Sequence, residues 1–225
     1  KPKPLKTFTI CDPKTRKISK SKYIDRVVHH VLINVIGPVF EPTFISHSFS
    51  CRVGKGTHKG IDTLEQIIRK VSNNYSKPCF ILKCDIQKFF GTVDHGILLN
   101  ILKGRIKDEN IVGLLEEIIE SFVSQYSTIS KRKGLPIGNL TSQLFANIYM
   151  HEFDAWMKNE IKAKYYIRYA DDFVVLSQNK LLLEKIVCNI KDFLWNRLHL
   201  VLHPDKLFIT TIASGVDFLG WVHFP

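Results

Sequence analysis

Apolar residues recur every three to four positions over several stretches of the chain, and this spacing predicts amphipathic helices. One such stretch begins at Tyr23, and we expect its helix to end at Gly37-Pro38, because proline breaks a helix. A second helix is expected after Thr57, whose side chain can cap it. Its apolar face is formed by Ile61, Leu64, Ile67, Ile68 and Val71. Further helices are predicted over residues 96–103, with Asp94 as the cap, 109–122, 138–158 and 181–198.

Strands are predicted where apolar residues run together between turn residues. The segment 48–57 is interpreted as a short strand passing into a glycine-rich turn, and residues 79–85 as a buried strand that ends in Asp85. Residues 165–177 predict a hairpin, because two apolar strands flank a turn that contains Asp171 and Asp172. Two more strands are expected over residues 200–210 and 216–224, joined through Ser214-Gly215. This order indicates an α+β fold, a mixed sheet with helices packed on one face.

The charge of the chain is strongly positive. The 225 residues include 32 Lys and Arg against 21 Asp and Glu, which leaves a net charge of +11. A surplus of this size favours a polyanionic partner, since binding to phosphates releases their counterions, and a solvated basic surface is the alternative. The basic segment 14–22 has the same two interpretations, a solvated turn or a nucleic-acid contact.

Cysteine usage and hydropathy exclude several classes of protein. The five cysteines form no CxxC pair, so we interpret them as small core residues in a reducing compartment rather than as zinc ligands. No apolar run reaches the length of a membrane span, and no signal peptide opens the chain. We therefore expect a soluble, cytoplasmic protein with no membrane partner.

Three aspartates at strand ends are the main candidates for chemistry. Asp85 ends one apolar strand, whereas Asp171 and Asp172 lie at the tip of the predicted hairpin. Like charges this close raise a pKa or need cations, and Asn-Gly or Asp-Gly would suit the turn better. If the hairpin lies beside the Asp85 strand, the carboxylates form a pocket of oxygen ligands suited to Mg²⁺. The alternative is a solvated acidic turn.

Several ordered blocks of the sequence resemble the motifs of reverse transcriptases, which copy RNA into DNA. Tyr169-Ala-Asp-Asp172 resembles the YxDD signature, residues 80–90 motif A, 134–143 motif B, His203-Pro-Asp-Lys206 motif D, and 215–221 the primer-grip motif E. Residues 48–60 resemble the fingers block of bacterial group II intron and retron-type enzymes. The resemblance implies a right-hand fold whose palm carries an antiparallel sheet and packed helices, together with fingers.

The resemblance assigns roles to the residues around the aspartates. Asp85 and Asp171 are the expected ligands of two Mg²⁺ ions, for which Mn²⁺ can substitute, with Asp172 close by and the Ile86 carbonyl completing one shell. Such ions activate a primer 3′-hydroxyl and stabilise the leaving pyrophosphate. Lys206 is the expected proton donor to pyrophosphate, or else a solvated loop lysine.

Other residues are expected to contact the nucleotide and the primer. Arg52 and Lys55 are expected to bind the triphosphate of the incoming nucleotide, the alternative being surface charge. Phe90 is expected to abut the sugar 2′ position and so to favour deoxynucleotides, unless it is a core residue like its neighbour Phe89. The residues expected to hold the primer strand, which would otherwise form a core strand, are Leu219, Gly220 and Trp221.

Motif B departs from the usual family pattern. Ile137 and Gln143 stand where the family usually has Gln after Leu-Pro and the Pro of Ser-Pro, and Gly138 is also expected at the substrate. Isoleucine cannot hydrogen-bond the nucleotide, so we expect relaxed base selection. This form resembles the enzymes of diversity-generating retroelements, which copy a template RNA with frequent errors at adenines. A retron-like or anti-phage defence enzyme is the alternative, followed by a non-catalytic RNA-binding palm scaffold.

The resemblance also implies a division into domains and a set of partners. We expect fingers over residues 1–78, palm over 79–98, a fingers insertion over 99–134 and palm over 135–225. A helical thumb is expected to lie outside these residues or to be replaced by a partner surface. The expected partners are an RNA template, a DNA or RNA primer, deoxynucleoside triphosphates and a small basic accessory protein.

Overall fold

The computed structural model describes residues 2–11 and 15–225, which form α-helices, strands and short 3₁₀ turns. In chain order these elements are β1 (Lys6–Cys11), β2 (Thr15–Lys20), α1 (Tyr23–Phe40), α2 (Thr57–Val71), β3 (Phe80–Asp85), α3 (Phe89–Thr92), α4 (His95–Arg105), α5 (Glu109–Glu120), α6 (Leu140–Asn159), β4 (Tyr166–Tyr169), β5 (Asp172–Ser177), α7 (Lys180–Leu198), β6 (Phe208–Thr211), β7 (Val216–Phe218) and β8 (Trp221–His223). They belong to two compact units. One comprises the residues up to Phe44 together with Lys88–His151, and the other Ile45–Gln87 together with Glu152–Pro225.

The first unit contains the β1–β2 hairpin, helices α1, α3, α4 and α5, and the beginning of α6. The predicted cap of α4 is confirmed, because the side chain of Asp94 accepts a hydrogen bond from the Ile97 N–H at 3.2 Å. Asp108 caps α5 in the same way through the N–H groups of Asn110 and Ile111. Such caps satisfy N–H groups that have no partner inside the helix.

The second unit is built on a four-stranded antiparallel sheet in the order β4-β5-β3-β6. The expected hairpin is formed by β4 and β5, and β5 pairs directly with β3. The register of that pair sets Asp85 opposite Asp172 at one end of the sheet. The hairpin thus lies beside the Asp85 strand, which was the condition for a shared carboxylate site.

Helices cover both faces of this sheet, which corrects the expectation of helices on one face. Helix α2 packs against the face that carries Ile81, Val174 and Leu176. On the opposite face, the Phe173 ring contacts that of Phe153 in α6 at 5.0 Å between centroids, and α7 contacts β3, β5 and β6. Strand residues point alternately to the two sides, and both sets are apolar here, so both faces need a cover.

Three local expectations are wrong. Helix α1 does not end at Gly37-Pro38 but continues to Phe40, because the Gly37 carbonyl still accepts a hydrogen bond from the Glu41 N–H. Gly56, with φ of 105°, precedes the first residue of α2, so Thr57 is helical and does not cap. Residues 15–20 of the basic segment form β2 rather than a turn, since they pair with β1, and Lys14 lies outside the described residues.

The predicted strands 48–57, 200–210 and 216–224 also need correction. Residues 48–56 form turns and irregular backbone, with one isolated bridge between Ser48 and Arg168, and Thr57 already begins α2. Only residues 208–211 of segment 200–210 and its continuation form a strand. Pro204 begins a 3₁₀ turn, because it has no N–H group to hydrogen-bond a neighbouring strand. The last segment is a hairpin, β7–β8, because Leu219 and Gly220 turn the chain with φ of 57° and 83°.

The cysteines fit the core interpretation only in part. Cys79 and Cys84 are buried, and burial raises the pKa of their thiols to about 11 and about 12, so both stay protonated at neutral pH. Cys11, Cys51 and Cys188 are exposed, which corrects the prediction for these three. Within the described residues, the helices are all too short or too polar to cross a membrane. The division into fingers and palm, whose expected boundaries differ from those of the two units, stays a prediction.

Candidate functional site

The backbone of the second unit brings the three candidate aspartates together. Asp85 is the last residue of β3, and Asp172, directly opposite, is the first residue of β5. The Ile86 N–H donates a hydrogen bond to the Asp171 carbonyl at 3.2 Å, which fixes the turn against the end of β3. Since residues opposite each other in a ladder point to the same face, the Asp85 and Asp172 side chains share one side of the sheet.

The hairpin turn that carries Asp171 is strained. Only Ala170 and Asp171 separate β4 from β5, and Ala170 has a φ of 54°. This left-handed conformation suits glycine, asparagine or aspartate, and it is unfavourable for alanine because of its Cβ atom. The turn therefore keeps a conformation that its own residues do not favour, and contacts from outside the turn must hold it.

Negative charge is in excess around Asp172. Its Oδ1 atom is buried and has no hydrogen-bond partner in the described part of the chain. Burial raises the pKa of this carboxyl to about 7; the nearby Lys83 lowers it, while Asp85, Asp171 and Asp217 raise it further. At neutral pH the group is therefore close to half-protonated, and a cation placed beside Oδ1 would favour its ionised form.

Two lysines partly balance these carboxylates. The Lys206 Nζ atom lies 2.8 Å from Asp85 Oδ2, and the Lys83 Nζ atom lies 3.8 Å from Asp172 Oδ2 and 3.9 Å from Asp217 Oδ2. Lys83 also donates to the Asp217 main-chain carbonyl, which ties the β7–β8 hairpin to β3. Lys206, the predicted proton donor, thus lies against a predicted metal ligand, and its role stays a prediction.

The site fits a divalent cation by its chemistry, although its side chains are not in a closed ligand shell. Among residues 2–11 and 15–225, no three His, Cys, Asp or Glu side chains are grouped so that they could hold a metal ion. The Lys206 ammonium engages Asp85 instead. Carboxylate oxygens are the ligands that Mg²⁺ prefers, and within the described ranges the buried Oδ1 of Asp172 has no hydrogen-bond partner.

The predicted triphosphate-binding residues belong to the loop that follows Ile45. The Arg52 Nη1 atom donates to the carbonyls of Ile45 and Ser48, both at 2.8 Å, and Lys55 Nζ donates to the Ser46 carbonyl at 2.8 Å. Both side chains thus stabilise the loop by donating hydrogen bonds to its main-chain carbonyls. Binding of triphosphate by Arg52 and Lys55 remains a prediction.

Four predicted substrate-binding residues, Phe90, Ile137, Gly138 and Gln143, lie in the first unit. Phe89 is buried and Phe90 is half-buried, in agreement with Phe89 as the core residue of the two. Gly138 has a φ of 113°, and a Cβ atom there would lie 2.7 Å from the Ile18 side chain. The Ile137 carbonyl accepts from the Ser19 N–H at 2.8 Å. A pocket of about 250 Å³ is lined by Arg26, His29, His30, Gly138, Asn139, Leu140 and Gln143.

The predicted primer-grip residues form the turn between β7 and β8. Leu219 packs against the core of the second unit, close to Gly60, while Trp221 is exposed. A large exposed aromatic ring beside a tight turn is available for a partner molecule, as the prediction requires. The primer contact itself remains a prediction.

Sequence reasoning missed a buried charged group in the same unit. Arg168 in β4 and Asp154 in α6 are both fully buried and form an ion pair. The signal was present, because Arg168 is a charged residue inside an apolar run that predicts a buried strand, and a buried charge needs a partner. The sequence did not identify Asp154 as that partner, since the two lie on different elements.

Comparisons with known proteins complete the description of the site. A family described as reverse transcriptase (RNA-dependent DNA polymerase) matches residues 2–223. Protein YkfC of Escherichia coli is 26% identical over 231 aligned positions, which cover 87% of this chain and 60% of that protein. The group II intron-encoded protein LtrA of Lactococcus lactis is 22% identical, with 98% of this chain and 47% of that protein covered. The chain thus spans less than two thirds of the length of these relatives.

Solved structures with the same fold include telomerase from Candida albicans in complex with a TWJ fragment of telomeric RNA. Its TM-score is 0.71 at 13% identity, over 99% of this chain and 45% of that one. Apo telomerase from Candida tropicalis has a TM-score of 0.69 at 12% identity, over 97% of this chain and 46% of that one. At such low identity, the likeness shows a shared fold.

Proposed function

The chain belongs to the reverse transcriptase (RNA-dependent DNA polymerase) family, and we propose that it forms the catalytic core of an enzyme that copies RNA into DNA. The observation that carries the proposal is the pairing of Asp85 with Asp172 beside the Asp171 turn. Its substrates in this proposal are an RNA template, a DNA or RNA primer and deoxynucleoside triphosphates. The net charge of +11 supports partners that are rich in phosphate.

Asp85, Asp171 and Asp172 are the proposed holders of divalent cations, with the Ile86 carbonyl as a further oxygen ligand. When bound, Mg²⁺ or Mn²⁺ supplies positive charge for the attacking hydroxyl and the leaving pyrophosphate. The pKa of Asp172 is raised to about 7, so a bound cation would favour the ionised form of this carboxyl. Lys206, which contacts Asp85, would be released as a cation takes its place, and its ammonium would then be free to protonate the leaving group.

Further residues are proposed to position the nucleotide. Arg52 and Lys55 supply positive charge for the triphosphate, once their contacts with loop carbonyls are exchanged for phosphate oxygens. Phe90 fills the space beside the sugar 2′ position, so that a ribonucleotide leaves its 2′-hydroxyl without a hydrogen-bond partner. The turn at Leu219, Gly220 and Trp221 holds the primer end.

The first test replaces Asp171 by asparagine, which keeps the size of the side chain and removes its charge. We expect Asp171→Asn to abolish primer extension on an RNA template in Mg²⁺, because an amide is a poor ligand for a hard cation. RNA affinity, measured by fluorescence anisotropy, should stay nearly unchanged. The matched control is Asp192→Asn on the exposed surface of α7, which should extend primers like the wild type. Extension by Asp171→Asn would contradict the metal assignment.

A finer proposal concerns fidelity. Ile137 has no side-chain hydrogen-bonding group to offer the nucleotide, which supports an error-prone enzyme of the diversity-generating type over a retron-like or defence-associated one. We expect Ile137→Gln to lower misincorporation opposite template adenine, measured by sequencing the cDNA products. An unchanged error spectrum would contradict this assignment and leave the alternatives. A small basic accessory protein is part of the same finer proposal.

A further inference from the structure

Arg168 is a buried charge for which the proposed chemistry has no direct use. Its side chain is 0% exposed, in the middle of the four-residue strand β4 that leads to the aspartate turn. Arginine is almost never buried to this extent unless it is paired, because removal of its charge from water is costly. The contacts that make the burial tolerable therefore indicate what the residue does.

One side of the guanidinium is held by Asp154. The Arg168 Nε atom donates to Asp154 Oδ1 at 2.7 Å, and Nη2 donates to Oδ2 at 2.6 Å, a two-bond geometry that fixes the plane of the group. The Tyr166 hydroxyl also donates to Asp154 Oδ1, at 2.7 Å. Asp154 is thus bound on both oxygens, and Arg168 cannot rotate without breaking several bonds.

The other side of the guanidinium reaches the turn. Arg168 Nη1 donates to the Ala170 carbonyl at 3.0 Å, and Nη2 donates to the Ser48 hydroxyl at 3.1 Å. The main chain of Arg168 is fixed as well, since its N–H donates to the His47 carbonyl and its carbonyl accepts from the Phe49 N–H, both at 3.0 Å. The Ala170 carbonyl belongs to the peptide group that joins Ala170 to Asp171. Its orientation therefore sets the direction in which Asp171 leaves the turn.

We propose that Arg168 is a positioning residue, which locks the strained Ala170 peptide so that Asp171 and Asp172 face Asp85. Asp154 and Tyr166 act through Arg168 by fixing its plane. The inference rests on the proposed function, because it names what aligns the carboxylates of that same site. The φ of 54° at Ala170 supports it, since a conformation that alanine disfavours persists only when surrounding contacts hold it.

A purely structural role for the buried pair predicts a different outcome from a positioning role. Buried ion pairs can often be replaced by apolar residues of similar volume without loss of stability. We therefore combine Asp154→Leu, Tyr166→Phe and Arg168→Met in one apolar triple variant, which removes the buried ion pair and the Tyr166 hydroxyl together and keeps Ser48 and Ala170. If the group only stabilises the fold, this variant should recover both stability and activity. If it positions the turn, stability alone should return.

The experiment measures Tm, kcat for primer extension and the Mg²⁺ concentration at half-maximal rate. Relative to wild type, we expect the triple variant to keep a similar Tm, while kcat falls and the half-maximal Mg²⁺ concentration rises, each by about 10–100-fold, as for other residues that orient ligands. Arg168→Met alone should lower both Tm and kcat, because it leaves Asp154 buried without its partner. The control variant, Glu65→Gln with Arg69→Gln, removes an exposed ion pair on α2 and should change none of the three quantities.

Recovery of Tm, kcat and Mg²⁺ dependence together would overturn the inference. If the triple variant does not fold, Arg168→Lys decides, because lysine keeps the charge but cannot make the two-bond contact and reach Ala170 together. Titration of Mn²⁺ by electron paramagnetic resonance gives a readout independent of turnover, with weaker binding expected in either variant. Equal Mn²⁺ affinity of the wild type and the variant would overturn the positioning role of Arg168 and leave the proposed function standing. Absence of both extension and Mn²⁺ binding in the wild type would overturn the proposed function as well.

Discussion

Two carboxylates of the second unit, Asp154 and Asp172, have opposite electrostatic surroundings. Asp154 is fully buried, and both of its oxygens accept hydrogen bonds, from Tyr166 and from the Arg168 guanidinium. Asp172 has a buried oxygen without a hydrogen-bond partner among residues 2–11 and 15–225, and burial together with the surrounding carboxylates raises its pKa to about 7. The charge of Asp154 is balanced within the protein, whereas the negative charge around Asp172 exceeds the positive charge of its neighbours.

The contrast separates structural carboxylates from those that can take a ligand. The Asp154 carboxylate is already neutralised by the Arg168 guanidinium, so a cation would not stabilise it further. The ionised Asp172 carboxylate lies among other carboxylates, so its charge lowers the free energy of unfolding when no cation is bound. A bound cation would raise the free energy of unfolding again. Arg168 connects the two regions, since it contacts Asp154 on one side and the Ala170 carbonyl on the other.

The largest effect is expected at the matched carboxylate. Asp154→Asn removes one partner of a buried pair and leaves the Arg168 charge uncompensated, so we expect the free energy of unfolding to fall by about 3–5 kcal/mol. For a chain of this size, that loss should lower Tm by about 10 °C, measured by circular dichroism. Glu65→Gln in the exposed pair with Arg69 is the control and should leave Tm nearly unchanged, because water and salt screen an exposed ion pair. An equal fall in Tm for Asp154→Asn and Glu65→Gln would contradict a stabilising role of the buried pair.

A smaller effect of opposite sign is expected at the mismatched carboxylate. Since the pKa of Asp172 is raised from 3.8 to about 7 in the folded state, its contribution to stability is present below pH 4 and is lost as the pH rises towards 7. Asp172→Asn cannot ionise, so relative to wild type it should become more stable between pH 5 and pH 8. We expect its Tm to exceed that of wild type by several degrees at pH 8 in EDTA, with little difference at pH 5.

The control for this pH dependence is Asp192→Asn, on the exposed surface of α7. It should show no change in relative Tm between the two pH values. A constant difference between Asp172→Asn and wild type across this range would mean that the Asp172 carboxyl is not under electrostatic stress. Addition of Mg²⁺ at pH 8 should raise the Tm of wild type more than that of Asp172→Asn.

The sequence predicted those features that depend on neighbouring residues or on one strand pair. The Asp94 cap, the apolar face of α2 and the hairpin around Asp171 all follow from local spacing, and the structure has them. The continuation of α1 through Pro38 was not predicted. Proline close to the end of a helix destabilises it less than proline in the middle, so α1 can continue to Phe40. The 216–224 hairpin was missed because Leu219 adopts a positive φ that leucine rarely takes.

The candidate site divides in the same way. Asp85, Asp171 and Asp172 were identifiable because each stands at the end of an apolar strand, and antiparallel pairing then brings them together. The pair of Arg168 with Asp154 was not predictable, since it depends on how α6 packs on the sheet. The contacts of Lys206 with Asp85 and of Lys83 with Asp217 are likewise between distant elements, which local spacing does not report.

The proposed role of the carboxylates at the end of β3 and the start of β5 is RNA-templated DNA synthesis. Incorporation of dTTP on a poly(rA) template primed with oligo(dT), by the wild type and by Asp85→Asn, tests this role most directly. We expect incorporation by the wild type in Mg²⁺, its loss on addition of EDTA, and none by Asp85→Asn. Absence of incorporation by folded wild type, or equal incorporation by the variant, would contradict the proposed role.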